Sequence, residues 1–156
     1  MKEVYITTPL GTAKIVGNKN GITEISVGHK KPVSIEIPKE LQQAVNQLTA
    51  YFKGNLNQFE LKLNPEGTEF QQKVWQELQQ IPYGKTISYL ELSKKLDNIK
   101  AIRAVAAANG KNPLWIVVPC HRVIGSNGSL TGYAGGLWRK QWLLEHEKGE
   151  KQQTLF

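Results

Sequence analysis

Cysteine and methionine each occur once in the 156 residues. The single cysteine, Cys120, excludes an intrachain disulfide and any metal site built on several cysteines. It fits a reducing compartment. Long apolar runs are also missing, since no stretch reaches the roughly 18 residues that mark a membrane-spanning helix. The opening Met1-Lys2-Glu3-Val4-Tyr5-Ile6 lacks an apolar segment of signal-peptide length. Together these absences predict a soluble, cytoplasmic protein with no membrane association. Internal repeats, low-complexity tracts and cofactor motifs are absent as well. Acidic residues are scarce in one region. Between positions 85 and 140 stand nine lysines and arginines against only Glu91 and Asp97, so this stretch alone matches the chain's net charge of +7. A basic segment that also holds the only cysteine fits a polyanionic partner. A solvated basic surface without a ligand is the plainer alternative.

Apolar residues make up 40% of the chain, enough for a core in one compact domain or in two small ones. Val4-Tyr5-Ile6, Ala13-Lys14-Ile15-Val16 and the alternating Ile22 to Val27 read as strands. Turns at Pro9-Leu10-Gly11 and Asn18 to Gly21 separate them and predict a small antiparallel meander. Pro38 opens a helix whose apolar stripe is Leu41, Ala44, Val45, Leu48, Tyr51 and Phe52, closed by Gly54, and this helix is expected to cover the sheet. Residues 55–67 read as a linker with a possible strand at Phe59 to Leu63, and the domain boundary falls near Asn64 to Gly67. Thr68-Glu69-Phe70-Gln71 and Ser88-Tyr89-Leu90-Glu91 are capping boxes, each opening a helix. A further helix, Ala101 to Asn109, ends at Gly110. The helix from Ser88 and the one from Ala101 read equally well as a helix-turn-helix or as an ordinary helical hairpin. Asn127-Gly128 signals a hairpin, which would form a wing. A last helix starts near Gly135-Gly136, carries Leu137, Trp138, Trp142, Leu143 and Leu144, and ends at Gly149.

Cys120 follows the apolar run Leu114-Trp115-Ile116-Val117-Val118 and Pro119, which places it at the end of an extended segment. A buried, inert cysteine is the common fate of this residue type. A nucleophilic cysteine needs a base and a group to orient that base. His121 is adjacent, but neighbours on an extended strand point to opposite faces, so the backbone must turn there or a water must bridge the two. Glu147 can orient His121 from the final helix, as carboxylates orient histidines in catalytic triads. His29 and His146 are weaker candidates for the base. A Cys-His pair without other soft ligands is a poor metal site, and no metal or cofactor is expected.

Pro119-Cys120-His121-Arg122-Val123-Ile124 resembles the acceptor motif of the O6-alkylguanine-DNA alkyltransferases, also called methylated-DNA–protein-cysteine methyltransferases. Arg103-Ala104-Val105, Asn112-Pro113, Gly132-Tyr133 and Leu143-Leu144-Glu145-His146-Glu147 stand at the family's spacing. The resemblance covers nearly all of 70–147, and the N-terminal meander and helix are compatible with the family's N-terminal domain. It implies an α/β (α+β) fold. A small antiparallel sheet with a covering helix (ribonuclease-H-like) takes 1–65, and a mostly helical, winged helix-turn-helix alkyl-acceptor domain takes 66–150. A flexible tail takes 151–156.

The resemblance further implies that Cys120 takes the alkyl group from O6 of guanine, with His121 as its base through a water and Glu147 holding His121. Tyr89 resembles the tyrosine that assists departure of guanine through N3. Asn112 resembles the hinge asparagine that fixes the helix-turn-helix to the active-site segment, and Arg103 the finger that fills the gap left by the extruded nucleotide. Tyr133, Trp115 and Ala134 fall at the guanine pocket. Ala101, Ala104, Lys111 and Arg122 join Arg103 in binding double-stranded DNA through the minor groove. The protein is expected to act as a monomer. A base inside a duplex cannot present O6 to a buried sulfur, so flipping is required. Small residues permit close approach, although alanine also simply favours helix. Sequence-independent binding should rest on phosphate contacts. A thioether is not removed by ordinary hydrolysis, so one molecule is consumed per lesion.

Two positions depart from the family pattern. Trp115 stands where many members carry proline or a small residue. If it faces the pocket, bulky O6 substituents are poorly accepted; if it faces the core, nothing follows. Ala134 removes a hydroxyl that some members use. The competing readings are a winged-helix DNA- or lesion-binding protein with an inert cysteine, and a cysteine hydrolase.

Overall fold

The computed structural model describes residues 1–130, 133 and 136–149, with Ile99 through its backbone alone. The expected tail 151–156 and Ala134 lie outside the described residues. The chain forms two compact units. One holds Met1–Glu66 together with Pro113–Trp115, and the other holds Gly67–Asn112 and the chain from Ile116 onward. The short return at 113–115 is invisible to a single boundary drawn in sequence.

In the first unit, β1 (Lys2–Thr8), β2 (Gly11–Asn18) and β3 (Gly21–His29) form an antiparallel sheet in sequential order. The register places Val4 opposite Ile15 and Ile15 opposite Ile25, which aligns the apolar positions on one face. A 3-10 turn at Lys39–Leu41 leads into α1 (Gln42–Phe52), which buries Ala44, Val45, Leu48 and Tyr51. The strand anticipated at Phe59 to Leu63 is only an isolated bridge, Ile22 with Leu63, held by Ile22 N–H to the Lys62 carbonyl at 2.8 Å and Asn64 N–H to the Ile22 carbonyl at 2.8 Å. Leu114 bridges Ile25 in the same way, and the Trp115 ring lies 5.9 Å from that of Phe52.

The second unit contains α2 (Glu69–Leu78), β4 (Ile87–Ser88), α3 (Tyr89–Lys95), α4 (Ile102–Gly110), β5 (Val123–Ile124) and α5 (Leu137–Lys148). Both capping boxes form: the Thr68 hydroxyl accepts from Gln71 N–H, the Ser88 hydroxyl accepts from Glu91 N–H, and each partner side chain reaches back. Each cap satisfies donors that a helix start leaves open. Trp75 ties α2 to α4 by donating from Nε1 to the Ala108 carbonyl at 2.9 Å. Two details differ from the sequence reading. The turn at Asn127-Gly128 is closed by Gly125 N–H to the Ser129 carbonyl at 2.8 Å, yet β5 before it pairs in parallel with β4. Among the described residues no strand follows that turn to complete a hairpin. The apolar run before Cys120 is not a strand either, because Trp115 to Val117 form a turn and Ile116 takes φ 71°. A β-branched residue in the left-handed region costs about 1–3 kcal/mol, and burial of its side chain holds it there.

Candidate active site

Cys120 is placed by two successive tight turns. Pro119 (φ −82°, ψ 65°) is the centre of an inverse γ-turn, with Cys120 N–H on the Val118 carbonyl at 2.8 Å. Arg122 N–H then bonds the Pro119 carbonyl at 3.0 Å, and Cys120–Arg122 is a single 3-10 turn. The backbone bend that adjacent Cys120 and His121 require is therefore present. Cys120 is 8% exposed and His121 fully buried. Asn112 supports the approach by donating Nδ2 to the Val118 carbonyl at 2.7 Å. Asn109, at the end of α4, donates to the Cys120 carbonyl at 3.5 Å.

Behind the cysteine stands a buried ionic cluster. His121 Nε2 meets Glu147 Oε2 at 2.7 Å. Arg122 donates from Nε to Oε1 at 2.8 Å and from Nη2 to Oε2 at 3.0 Å, and its Nη1 donates to the Ile81 carbonyl at 2.8 Å. Burial alone would raise the Glu147 pKa, but the hydrogen bonds from His121 and Arg122 and the Arg122 charge outweigh it and hold the carboxyl well below its usual range. Burial keeps His121 below its ordinary value against the pull of Glu147, so the ring is neutral at pH 7. An ionised carboxylate only accepts, so the single ring proton sits on Nε2 and donates to Glu147. The Nδ1 lone pair is then left as an acceptor. It is buried and has no hydrogen-bond partner among the described residues.

Burial pushes the Cys120 thiol up, while the Asn112 side chain and the charge of Lys140 pull it down. Lys140 is itself buried, with Nζ 5.9 Å from the ring centres of both Tyr89 and Tyr133. Burial lowers its pKa, and a thiolate at Cys120 would oppose that shift. The arrangement provides a protonated sulfur, a neutral imidazole able to accept a proton, and a cation near the charge that would form.

The sequence-selected residues divide into three groups. Cys120, His121, Glu147, Asn112, Tyr89 and Tyr133 all belong to the second unit, and the contacts above link the first four. Arg103, Ala104, Ala107 and Lys111 lie exposed along α4 and its end, while Val105, Ala108 and Asn109 face inward. Ala101 is half-buried in the turn before that helix. Two assignments are corrected. Arg122 is 7% exposed and committed to Glu147 and Ile81, so it is not a DNA contact. Trp115 is 6% exposed in the core of the first unit, so the consequence for bulky O6 substituents does not follow. The other histidines are occupied elsewhere: His29 Nε2 lies 2.8 Å from the Ser26 hydroxyl, and His146 stacks on Trp142 at 4.9 Å. Lys140 and Asn109 were not anticipated. Lys140 shares the i, i+3, i+7 face of Leu143 and Glu147, a spacing that was readable.

A buried cysteine backed by a histidine–carboxylate pair, with Arg103 and Lys111 exposed on and just after α4, fits a class of cysteine proteins that act on a polyanion, and comparison with known proteins makes the class specific. Residues 1–65 match the family model of the 6-O-methylguanine DNA methyltransferase ribonuclease-like domain, and residues 69–149 match that of its DNA binding domain. A methylated-DNA–protein-cysteine methyltransferase of Methanosarcina acetivorans is 48% identical over 149 residues, covering 90% of this chain and 94% of the relative. The crystal structure of Mycobacterium tuberculosis OGT in complex with DNA superposes with a TM-score of 0.86 at 44% identity, covering 94% of this chain and 92% of that one. That of the Mycobacterium tuberculosis O6-methylguanine methyltransferase gives 0.84 at 42% identity, covering 95% and 94%. The chain belongs to the 6-O-methylguanine DNA methyltransferase family. Its fold is the family's α+β arrangement of a ribonuclease-like part and a DNA-binding part.

Proposed function

We propose that this protein repairs DNA by transferring the alkyl group of O6-alkylguanine to its own Cys120, once per molecule. The observation that carries the reading is the buried Cys120–His121–Glu147 arrangement on a bent backbone, with the His121 Nδ1 lone pair open. His121 takes the thiol proton through a bridging water. The sulfur attacks the alkyl carbon, an S–C bond forms, and the C–O6 bond breaks with its electron pair going to guanine. Tyr89 supplies a proton toward N3 as guanine leaves. Asn112 holds the cysteine segment to α4, and Tyr133 lies at the guanine pocket.

Double-stranded DNA is bound through the minor groove by α4. Ala101, Ala104 and Lys111 allow and support close approach, and Arg103 fills the space of the flipped nucleotide. Residues 66–150 form the alkyl-acceptor domain and 1–65 a separate α/β domain. The protein acts as a monomer, in the cytoplasm, without a cofactor. No helix among the described residues is long and apolar enough to cross a membrane.

Cys120→Ser tests the reading. The variant is expected to bind O6-methylguanine duplex DNA with wild-type affinity and to transfer nothing. Transfer by the serine variant would contradict the assignment. Lesion binding by wild type without transfer would favour a binding protein with an inert cysteine.

A further inference from the structure

The Glu147 carboxylate is held from two sides, by the His121 ring and by the Arg122 guanidinium. The guanidinium of Arg122 grips both carboxylate oxygens, at 2.8 and 3.0 Å, from a position two residues beyond Cys120. Its remaining nitrogen is anchored on the Ile81 carbonyl at 2.8 Å. Gly84 N–H adds a longer contact, 3.4 Å, to Oε1. The carboxylate therefore has one orientation, with Oε2 turned to His121 Nε2. A fork-to-fork arginine–carboxylate pair fixes direction as well as charge.

We propose that Arg122 is a positioning residue for alkyl transfer: it clamps Glu147, so that His121 keeps its Nε2 proton on the carboxylate and its Nδ1 lone pair open to receive a proton. The proposal rests on the alkyl-transfer reading above. A lone buried carboxylate against an imidazole would favour the imidazolium, which has no lone pair to receive the Cys120 proton. With Arg122 in place, the carboxylate charge is already balanced. The other titratable groups around the cluster are Lys140 on α5, whose charge also disfavours the imidazolium, Tyr83 on the Ile81–Gly84 turn, and Cys120 itself. None of these grips the carboxylate through two nitrogens, so the direction of Oε2 depends on Arg122.

The sign follows. Removing Arg122 lets the His121–Glu147 pair take up a proton at higher pH, so the acid limb of the transfer rate moves to higher pH. A general base is worth roughly 10²–10⁴-fold, and Arg122→Met should lose about tenfold or more at pH 7 while recovering toward wild type as pH rises. Arg122→Lys keeps a charge without the fork and should fall between the two. The experiment measures single-turnover transfer from O6-methylguanine duplex DNA across pH for wild type and both variants, with DNA affinity in parallel. A Met profile that superimposes on wild type after scaling would reduce Arg122 to a structural brace, and so would a rate loss equal to the loss of affinity. Should the variants fail to fold, ¹⁵N spectra of the wild-type His121 ring decide the matter. A neutral ring protonated on Nε2 at pH 7 is expected. An imidazolium, or a proton on Nδ1, would overturn the proposal. A wild-type protein that transfers nothing would sink the functional reading instead, and the ring spectra would still report on the clamp.

Discussion

At Cys120 two effects oppose each other. Burial holds the proton on sulfur, while the Asn112 side chain and the Lys140 charge favour its loss. Burial has the larger effect, so the resting group is a thiol and attack requires a base at the moment of reaction. In the proposed reaction the neutral His121 meets that need, and the Lys140 charge favours the thiolate. Lys140→Met should therefore raise the Cys120 pKa and move the pH dependence of thiol alkylation by iodoacetamide to higher pH. Methionine has a similar length and keeps the buried apolar stem of Lys140. An unchanged alkylation profile would exclude Lys140 from the thiol's electrostatics. The His121–Glu147 pairing and the bend at Cys120 are legible in the sequence, since a histidine beside a cysteine and a carboxylate on the last helix are recognisable residue types. Arg122 was misread because an arginine in a basic stretch looks like a phosphate contact. Only three-dimensional structure shows that its charge is spent on Glu147.

Among the elements, α4 presents two faces of different chemistry. Val105, Ala108 and Asn109 pack inward, and Arg103, Ala104, Ala107 and Lys111 face solvent without an acid among them. Arg103 is exposed, so Arg103→Ala should change stability by no more than about 0.5 kcal/mol. If Arg103 fills the stack after flipping, the same change should slow repair in duplex DNA by roughly 10- to 100-fold, in keeping with an unstacking cost of a few kcal/mol. Reaction with free O6-methylguanine base should be far less affected. Equal losses on both substrates would argue against the finger role.

The starts of α2 and α3 were legible because capping boxes are local chemistry. The β4–β5 pair was not, since two-residue strands brought together from positions 87 and 123 leave no periodic signal. The segment before Cys120 was misread as extended because an apolar run cannot reveal a left-handed Ile116. In α5 the apolar residues misled: Trp138 is 57% exposed, whereas Lys140 and Glu147 are buried. Lys140 and Glu147 share the buried face of that helix with Leu143.

Over the whole molecule, the basic excess looks smaller in structure than in composition. Two of the nine basic groups between 85 and 140, Arg122 and Lys140, are buried and serve the site rather than a polyanion. Those on and around α4 remain available to a phosphate backbone. The chain carries one cysteine, so a thioether formed there has no second thiol to relieve it. Incubating the protein with excess O6-methylguanine duplex DNA, then measuring both restored guanine and the intact and peptide mass of the protein, tests single transfer to Cys120. Repair should stop at one lesion per protein molecule, with one methyl group mapped to Cys120. Continued turnover, or a methyl group on any other residue, would contradict it.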